Sequence, residues 1–162
     1  MLFRSAEENP MTYIGSGSGE WCTGTGADES DYTKRWMGSK KTMYDPCPVG
    51  YRVPKGGNDG FWATALGTSS STSTGTKWDS TTSGRHWTLA DGTTAAWYPA
   101  VGCRYYHSGA FDYVGSYGYY WSASPSPSDS SRAYYLHFNN GLVSPARDNL
   151  RGSGCSVRCV KE

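Results

Sequence analysis

Glutamine is missing from all 162 residues of the chain, and between Cys103 and Cys155 there is no lysine, glutamate or methionine either. Other absences exclude whole classes of protein. No segment repeats Leu and Ala with a helical period, so long amphipathic helices are not expected. No apolar run approaches the roughly 18–20 residues of a helical membrane span. The opening "MLFRSAEENPMTY" lacks the apolar centre of a signal peptide and reads as the start of a piece excised from a larger protein. There is no basic run and the formal net charge is +1, so the electrostatic footprint of a nucleic-acid binder is missing.

Catalytic and metal-binding signatures are equally scarce. No Cys-x-x-Cys pair occurs, and no histidine lies near Cys155 and Cys159 in sequence, which argues against zinc. His86, His107 and His137 stand in no His-x-x-x-His or His-Glu motif, and there is no Gly-x-Ser-x-Gly elbow and no phosphate loop. After Lys77 the carboxylates thin out to Asp79, Asp91, Asp112, Asp129, Asp148 and the terminal Glu162. An enzyme needs a convergent set of titrating groups, and none is legible. The chain is expected to be non-catalytic, with no cofactor and no metal site.

What is present is glycine, at 21 residues, with 13 Tyr and 7 Trp carrying much of the apolar payload. That composition suits short strands joined by many turns, with a core built on aromatic rings. Residues 1–43 read as polar loop anchored by Trp21 and Trp36. In "YDPCPVGYRVP" the prolines forbid helix and leave Tyr51-Arg52-Val53 as a short strand. "NDGFWATALG" predicts one short helix, with Asn58 or Asp59 as N-cap, Gly67 as stop, and Phe61, Trp62, Ala65 and Leu66 as its apolar face. "TSSSTSTGTKWDSTTSG" reads as Ser/Thr-rich loop. "HWTLADGTTAAWYPAVGCR" reads as strand, a turn at Asp91-Gly92, and strand. "YYWSAS" is a strand, and "CSVRCVKE" closes the chain as another.

The clearest hairpin is "AYYLHFNNGLVSP", turning at Asn139-Asn140-Gly141. Strand alternation puts Tyr134, Leu136, Phe138 and Val143 on one face, the natural core face. Tyr135, His137, Leu142 and Ser144 fall on the other, which is expected to be exposed. The five cysteines, at 22, 47, 103, 155 and 159, are either buried thiols or form one or two disulfides in an oxidising compartment; one is left over in any pairing.

Four blocks, "KTMYDPCPVGYRVP", "GYYWSAS", "AYYLHF" and "GCSVRCVKE", resemble in order the Fibrobacter succinogenes major paralogous domain of Bacteroides-type surface proteins, which is similar to the C-type lectin fold. The resemblance spans most of the chain, from Asn9 to Lys161, and includes "RVP…FWATAL". It implies an α+β, β-rich, C-type lectin-like fold with short helices and long loops, forming one domain over residues 1–162 at the C-terminal end of a larger protein. From the motif positions it also implies a Cys47–Cys159 disulfide. Cys103 and Cys155 stand where the family has aromatics, at the ends of the tyrosine-rich stretch, and a second disulfide between them is expected. The calcium motifs of animal C-type lectins are absent, so calcium-dependent sugar binding is not implied.

The stretch "CRYYHSGAFDYVGSYGYYWSAS", from Cys103 to Ser124, carries a narrower resemblance. Variable proteins of diversity-generating retroelements display residues diversified by a reverse transcriptase that mutates template adenines. An AAC codon treated in this way reaches Tyr, Ser, Asp, His, Gly and others, but never Lys, Glu, Gln, Met or Trp. From Cys103 to Cys155 those types are missing except for Trp121, which lies in the "YYWSAS" block. Gly115, Gly118, Tyr120, Trp121, Ala133, Leu136, Phe138, Gly141, Val143 and Pro145 fall where strand, turn and core logic wants them. The residues that follow no packing period are Tyr105, Tyr106, His107, Ser108, Phe111, Asp112, Tyr113, Ser116, Tyr117 and Tyr119. With the outward hairpin set Tyr135, His137, Leu142 and Ser144, extended by Arg147, Asp148, Asn149 and Leu150, they make the candidate ligand-binding surface within a variable region spanning residues 103–155.

Tyr, Ser and Gly are the alphabet of antibody binding loops, because Tyr brings a large rigid face at low entropy cost. The expected function is a ligand-binding display domain that meets a protein or glycan partner, with no nucleic-acid partner and no direct membrane insertion. Its expected location is the cell surface or the secreted milieu, or alternatively a phage particle. The competing expectations are a fixed carbohydrate-binding module and a structural adhesin or pilus subunit.

Overall fold

The computed structural model describes residues 36–42, 44–88, 91, 93–129 and 131–162. The expected anchor Trp21, the loop around it and Cys22 lie outside these residues. Along the chain come β1 (Tyr51–Arg52), α1 (Phe61–Leu66), β2 (Thr76–Asp79), β3 (Gly84–Thr88), β4 (Thr94–Pro99), β5 (Cys103–Arg104), β6 (Phe111–Asp112), β7 (Gly118–Pro125), β8 (Arg132–Phe138), β9 (Val143–Leu150) and β10 (Val160–Lys161). They form two three-stranded sheets, β2-β3-β4 and β7-β8-β9, and two short pairs, β1-β10 and β5-β6. The architecture is β-rich, with open sheets and one short helix among the described residues.

Most predicted elements fall where the sequence puts them. Gly67 adopts φ 67° and ends α1, a left-handed conformation that a side chain resists. The N-cap is Gly60 rather than Asn58 or Asp59, without a side-chain cap. The helix face also differs: Trp62 and Ala63 are buried, while Phe61 and Ala65 are exposed. The Ser/Thr-rich segment is not all loop. Its Thr76–Asp79 stretch pairs antiparallel with β3, with Trp78 opposite Arg85. Tertiary pairing overrides weak local preference here, because β propensity reflects fit against neighbours. The β3–β4 hairpin forms as expected, although Gly92 of its turn lies outside the described residues.

The principal core lies between the two larger sheets and α1. Trp62, Trp87, Tyr98, Ala100, Tyr120, Leu136, Phe138 and Val143 form it. The polar ends of three of its rings are paired: the Trp62 indole N–H donates to Tyr98 Oη (3.2 Å), and the Tyr120 hydroxyl donates to the Pro99 carbonyl (2.7 Å). Gly118 stands opposite Phe138, and a Cβ at 118 would overlap the Phe138 ring.

The other face of β7-β8 is covered too, which corrects the expectation that it is exposed. Tyr119, Trp121 and Tyr135 are buried there, packed by Trp36, Cys103, Tyr117, Ala133, Cys155 and Val157. The C-terminal segment holds this cover down. Trp121 N–H donates to the Ser156 carbonyl (2.8 Å), Ser156 N–H to the Tyr119 carbonyl (3.1 Å), and the Trp121 indole to the Ser153 carbonyl (3.1 Å). Large aromatic faces on both sides of a strand each need a covering layer.

A third apolar cluster joins Cys47, Val53 and Ala123. Cys47 and Cys159 form a disulfide there, at a sequence separation of 112. Asp45, buried beside it, accepts hydrogen bonds from Cys47 N–H (2.9 Å) and Val53 N–H (3.0 Å), and Lys41 pairs with it (3.4 Å).

Candidate functional site

The candidate residues divide into three groups. The first is a surface ridge built by the β5-β6 hairpin and the turn after it. Arg104 exchanges two backbone hydrogen bonds with Gly154 (2.8 and 2.9 Å), which fixes β5 to the C-terminal segment. From that base the hairpin projects Tyr105, His107, Ser108 and Phe111 into solvent, with Tyr106 and Asp112 half-buried. The Tyr105 and Tyr106 rings lie 4.7 Å apart. The guanidinium of Arg104 lies 3.9 Å from the Phe111 centroid, and Arg104 Nη1 donates to the Gly109 carbonyl (2.8 Å). Hydrogen bonding with Tyr106 holds the Tyr105 hydroxyl above the ordinary phenol range.

Tyr113 follows at φ 59°, a left-handed conformation that costs a bulky residue roughly 1–2 kcal/mol. Its carbonyl accepts from Ser116 N–H and Tyr117 N–H, both at 3.0 Å, closing a tight turn. Gly102 lies against this turn so closely that a Cβ there would meet the Asp112 carbonyl and the Val114 nitrogen. The fold therefore spends strain to present Tyr113 and Val114, which are 50% and 62% exposed. Ser116 is exposed beside them.

A series of ring contacts leads inward from this ridge. Tyr113 meets Tyr117 at 4.8 Å; Tyr117 stacks on Tyr119 at 6.1 Å, and Tyr119 on Tyr135 at 5.8 Å. His137 lies 5.4 Å from Tyr117 and 5.2 Å from Tyr119. Tyr119, Tyr135 and His137 are buried, at 8%, 5% and 5% exposure. They support the ridge from below rather than forming its surface. Burial pushes the Tyr119 and Tyr135 phenols up, and burial followed by the Arg147 charge pushes His137 down to about 4. Ser144, also expected outside, is buried and bonds to Ser71 Oγ (2.7 Å), because the 71–72 segment crosses the start of β9.

The rest of the β9 set does not join the ridge through these ring contacts. Leu142 is half-buried in the β8–β9 turn, and its N–H donates to Asn139 Oδ1 (3.0 Å). Arg147 is exposed opposite Tyr135. Asp148 accepts from Ser126 Oγ (2.8 Å) and from Arg132 Nη2 (3.1 Å); partial desolvation opposes its charge, but these bonds win and lower its pKa. Asn149 accepts from Leu150 N–H (2.9 Å), and both side chains are half-buried at the strand end paired with Arg132 and Ala133. Asp148 is thus engaged in holding β9 to its neighbours, while the Asn149 side chain bonds within its own strand.

Cys103 and Cys155 are free thiols, so the second disulfide expected between them is not formed. They flank the Arg104–Gly154 bridge and pack on the same buried aromatic cluster, and burial raises both thiols. Sequence reasoning missed Arg104 and Val114 on the ridge, and Trp78, Asn139 and Asn140 beside it. Arg104 and Val114 lie inside the Cys103–Ser124 stretch, and that membership is the one signal that could have marked them; Trp78 lay hidden in an apparent loop.

Among the described residues no helix is long and apolar enough to cross a membrane. A family model described as a domain of unknown function (DUF8237) matches residues 91–160, which contain every candidate ligand-binding residue. Neither the curated proteins nor the solved structures include a match to the chain.

Proposed function

We propose that the chain is a non-catalytic display domain, a C-type lectin-like scaffold presenting a retroelement-diversified, tyrosine-rich surface to a protein or glycan. The observation that carries this reading is the exposed ridge of Tyr105, Phe111, Tyr113 and Val114, at 45%, 66%, 50% and 62%. Isolated exposed apolar residues need no explanation, but neighbouring ones on a braced hairpin with a strained turn point to a contact surface. Aromatic residues with an adjacent Arg are the types that dominate binding hot spots. The display set is Tyr105, Tyr106, His107, Ser108, Phe111, Asp112, Tyr113, Ser116 and Tyr117, with Arg147 as an outlying member. Tyr119, Tyr135 and His137 serve as its foundation. The Cys47–Cys159 disulfide supports an oxidising location, at a cell surface, in the secreted milieu or on a phage particle.

The test is to sequence the DNA flanking the gene. The expected result is a near-copy of codons 103–160 beside a reverse transcriptase gene, differing at its adenines, with Asn codons opposite Tyr105 and Tyr113. Absence of any such copy refutes diversification, and the ridge is then a fixed surface for one partner.

A further inference from the structure

Beside the ridge, three separate parts of the chain converge on a cleft of about 220 Å³. Trp78 comes from β2, Gly115, Ser116 and Tyr117 from the turn before β7, and Asn139 and Asn140 from the β8–β9 turn. Trp78 is braced against the principal core, and Tyr117 against Tyr113 and Tyr119. Asn139 is held by its own turn: its Oδ1 accepts from Gly141 N–H (2.8 Å) and Leu142 N–H (3.0 Å), which leaves its amide NH₂ unspent. Asn140 and Ser116 are exposed and use neither side chain in a hydrogen bond among the described residues.

The lining residues bring two aromatic rings, two amides and the hydroxyls of Ser116 and Tyr117, and no charged side chain. An anion would find no cation there, and a hard metal ion would find no carboxylate. A purely apolar ligand would leave the amides unsatisfied. A ligand that suits all of these groups has an apolar C–H face for the rings and neutral hydroxyls for the amides and Ser116. That is the chemistry of a pyranose. The volume lies below the roughly 300–1,000 Å³ of drug-sized pockets, which matches one ring rather than an extended oligosaccharide.

We infer that this cleft binds a single neutral sugar ring, the exposed end of a glycan. The inference rests on the display reading in that Ser116 and Tyr117 belong to the proposed display set, whereas Trp78, Asn139 and Asn140 lie outside it. The cleft therefore joins two members of the display set to Trp78, which lies outside the 103–155 region.

The test is a titration of the full chain, ¹⁵N-labelled, with methyl glycosides of glucose, galactose, mannose, fucose, N-acetylglucosamine and N-acetylgalactosamine. The expected result is saturable movement of the Trp78 indole and Asn140 amide signals by at least one glycoside, with a dissociation constant on the order of 1 mM, or about −4 kcal/mol. Affinity falls at least tenfold in Trp78→Ala and severalfold in Asn140→Ala and Ser116→Ala. The last two keep the test valid if Trp78→Ala fails to fold, since both residues are exposed and neither side chain takes part in a hydrogen bond among the described residues. If no glycoside moves these signals, or if tetramethylammonium moves them instead through the rings, the inference is overturned. Phe111→Ala, outside the cleft, separates the two readings. A protein partner lost in that variant while the parent chain binds no glycoside overturns the cleft and leaves the display surface standing. Glycoside binding beside flanking DNA without a template copy supports the cleft and removes diversification.

Discussion

Arg104 lays its guanidinium 3.9 Å from the centre of the Phe111 ring, across the two strands of the β5-β6 hairpin. The ring nonetheless stays 66% exposed. One face of the aromatic group is held by a cation and the other is left to solvent. A core packs both faces, so this arrangement suits contact with something outside the chain.

Two phenylalanines should therefore respond in opposite ways. Phe111→Ala is expected to cost no more than about 1 kcal/mol, the range of an exposed cation–π contact. Phe138→Ala, at 0% exposure in the principal core, is expected to cost about 3–5 kcal/mol. Urea unfolding followed by tryptophan fluorescence measures both. Similar costs at the two sites would mean that the hairpin is packed rather than displayed.

Tyr113 and Tyr119 allow the same comparison on one residue type. In Tyr113→Asn the loss of the Tyr117 ring contact, about 0.5–1.5 kcal/mol, is offset by relief at φ 59°, because Asn tolerates the left-handed region. Stability should stay within about 1 kcal/mol of the parent, while affinity for a ridge-bound partner falls. Tyr119→Asn, which places an amide in the buried aromatic cluster, should cost about 3 kcal/mol or more. Calorimetric unfolding of the pair decides it.

His137 gives the domain a pH dependence with a definite sign. Its imidazole is buried, its Nδ1 has no hydrogen-bond partner, and its pKa is pushed down to about 4 from 6.5. The groups facing it are the Tyr117, Tyr119 and Tyr135 rings and the Arg147 cation. Between pH 6.5 and about 4 the unfolded chain binds the extra proton, so stability falls as pH falls through that window. The full loss is up to about 3 kcal/mol. His137→Phe should remove this slope between pH 7 and 5 in urea unfolding series, and coincident slopes would refute the assignment.

The Cys47–Cys159 disulfide closes the long stretch of chain that contains both main sheets. Cys47→Ala combined with Cys159→Ala is expected to lower stability by about 2–5 kcal/mol, largely through the freed unfolded chain. Reduction of the parent protein should reproduce the loss, and the double variant should be insensitive to reductant. Thermal unfolding with and without dithiothreitol checks this.

Local signals were sufficient for several parts of the molecule. Gly67 marked the end of α1, the Asn139-Asn140-Gly141 turn marked the β8–β9 hairpin, and period-two alternation placed Leu136, Phe138 and Val143 in the core. The same alternation misjudged Tyr135 and His137. It separates the two faces of a strand but cannot tell whether a second layer covers the outer one. That layer comes from Ser153–Val157 and the 103–117 region, far from β8 in sequence.

By itself the sequence determined a β-rich, aromatic-cored chain with a tyrosine-dense stretch, because turn chemistry and strand period act locally. Which tyrosines face out was decided only by the tertiary structure. Tyr105 and Tyr113 are as apolar as Tyr119 and Tyr135, but the first pair rides on a braced hairpin and a strained turn while the second lies under the C-terminal segment. The strand status of Thr76–Asp79 and the meeting of Trp78 with Tyr117 and Asn139 were likewise tertiary outcomes. The physical reason is common to all of these: exposure and convergence depend on what the rest of the chain lays over a residue, and the residue's own neighbours in sequence carry no record of it.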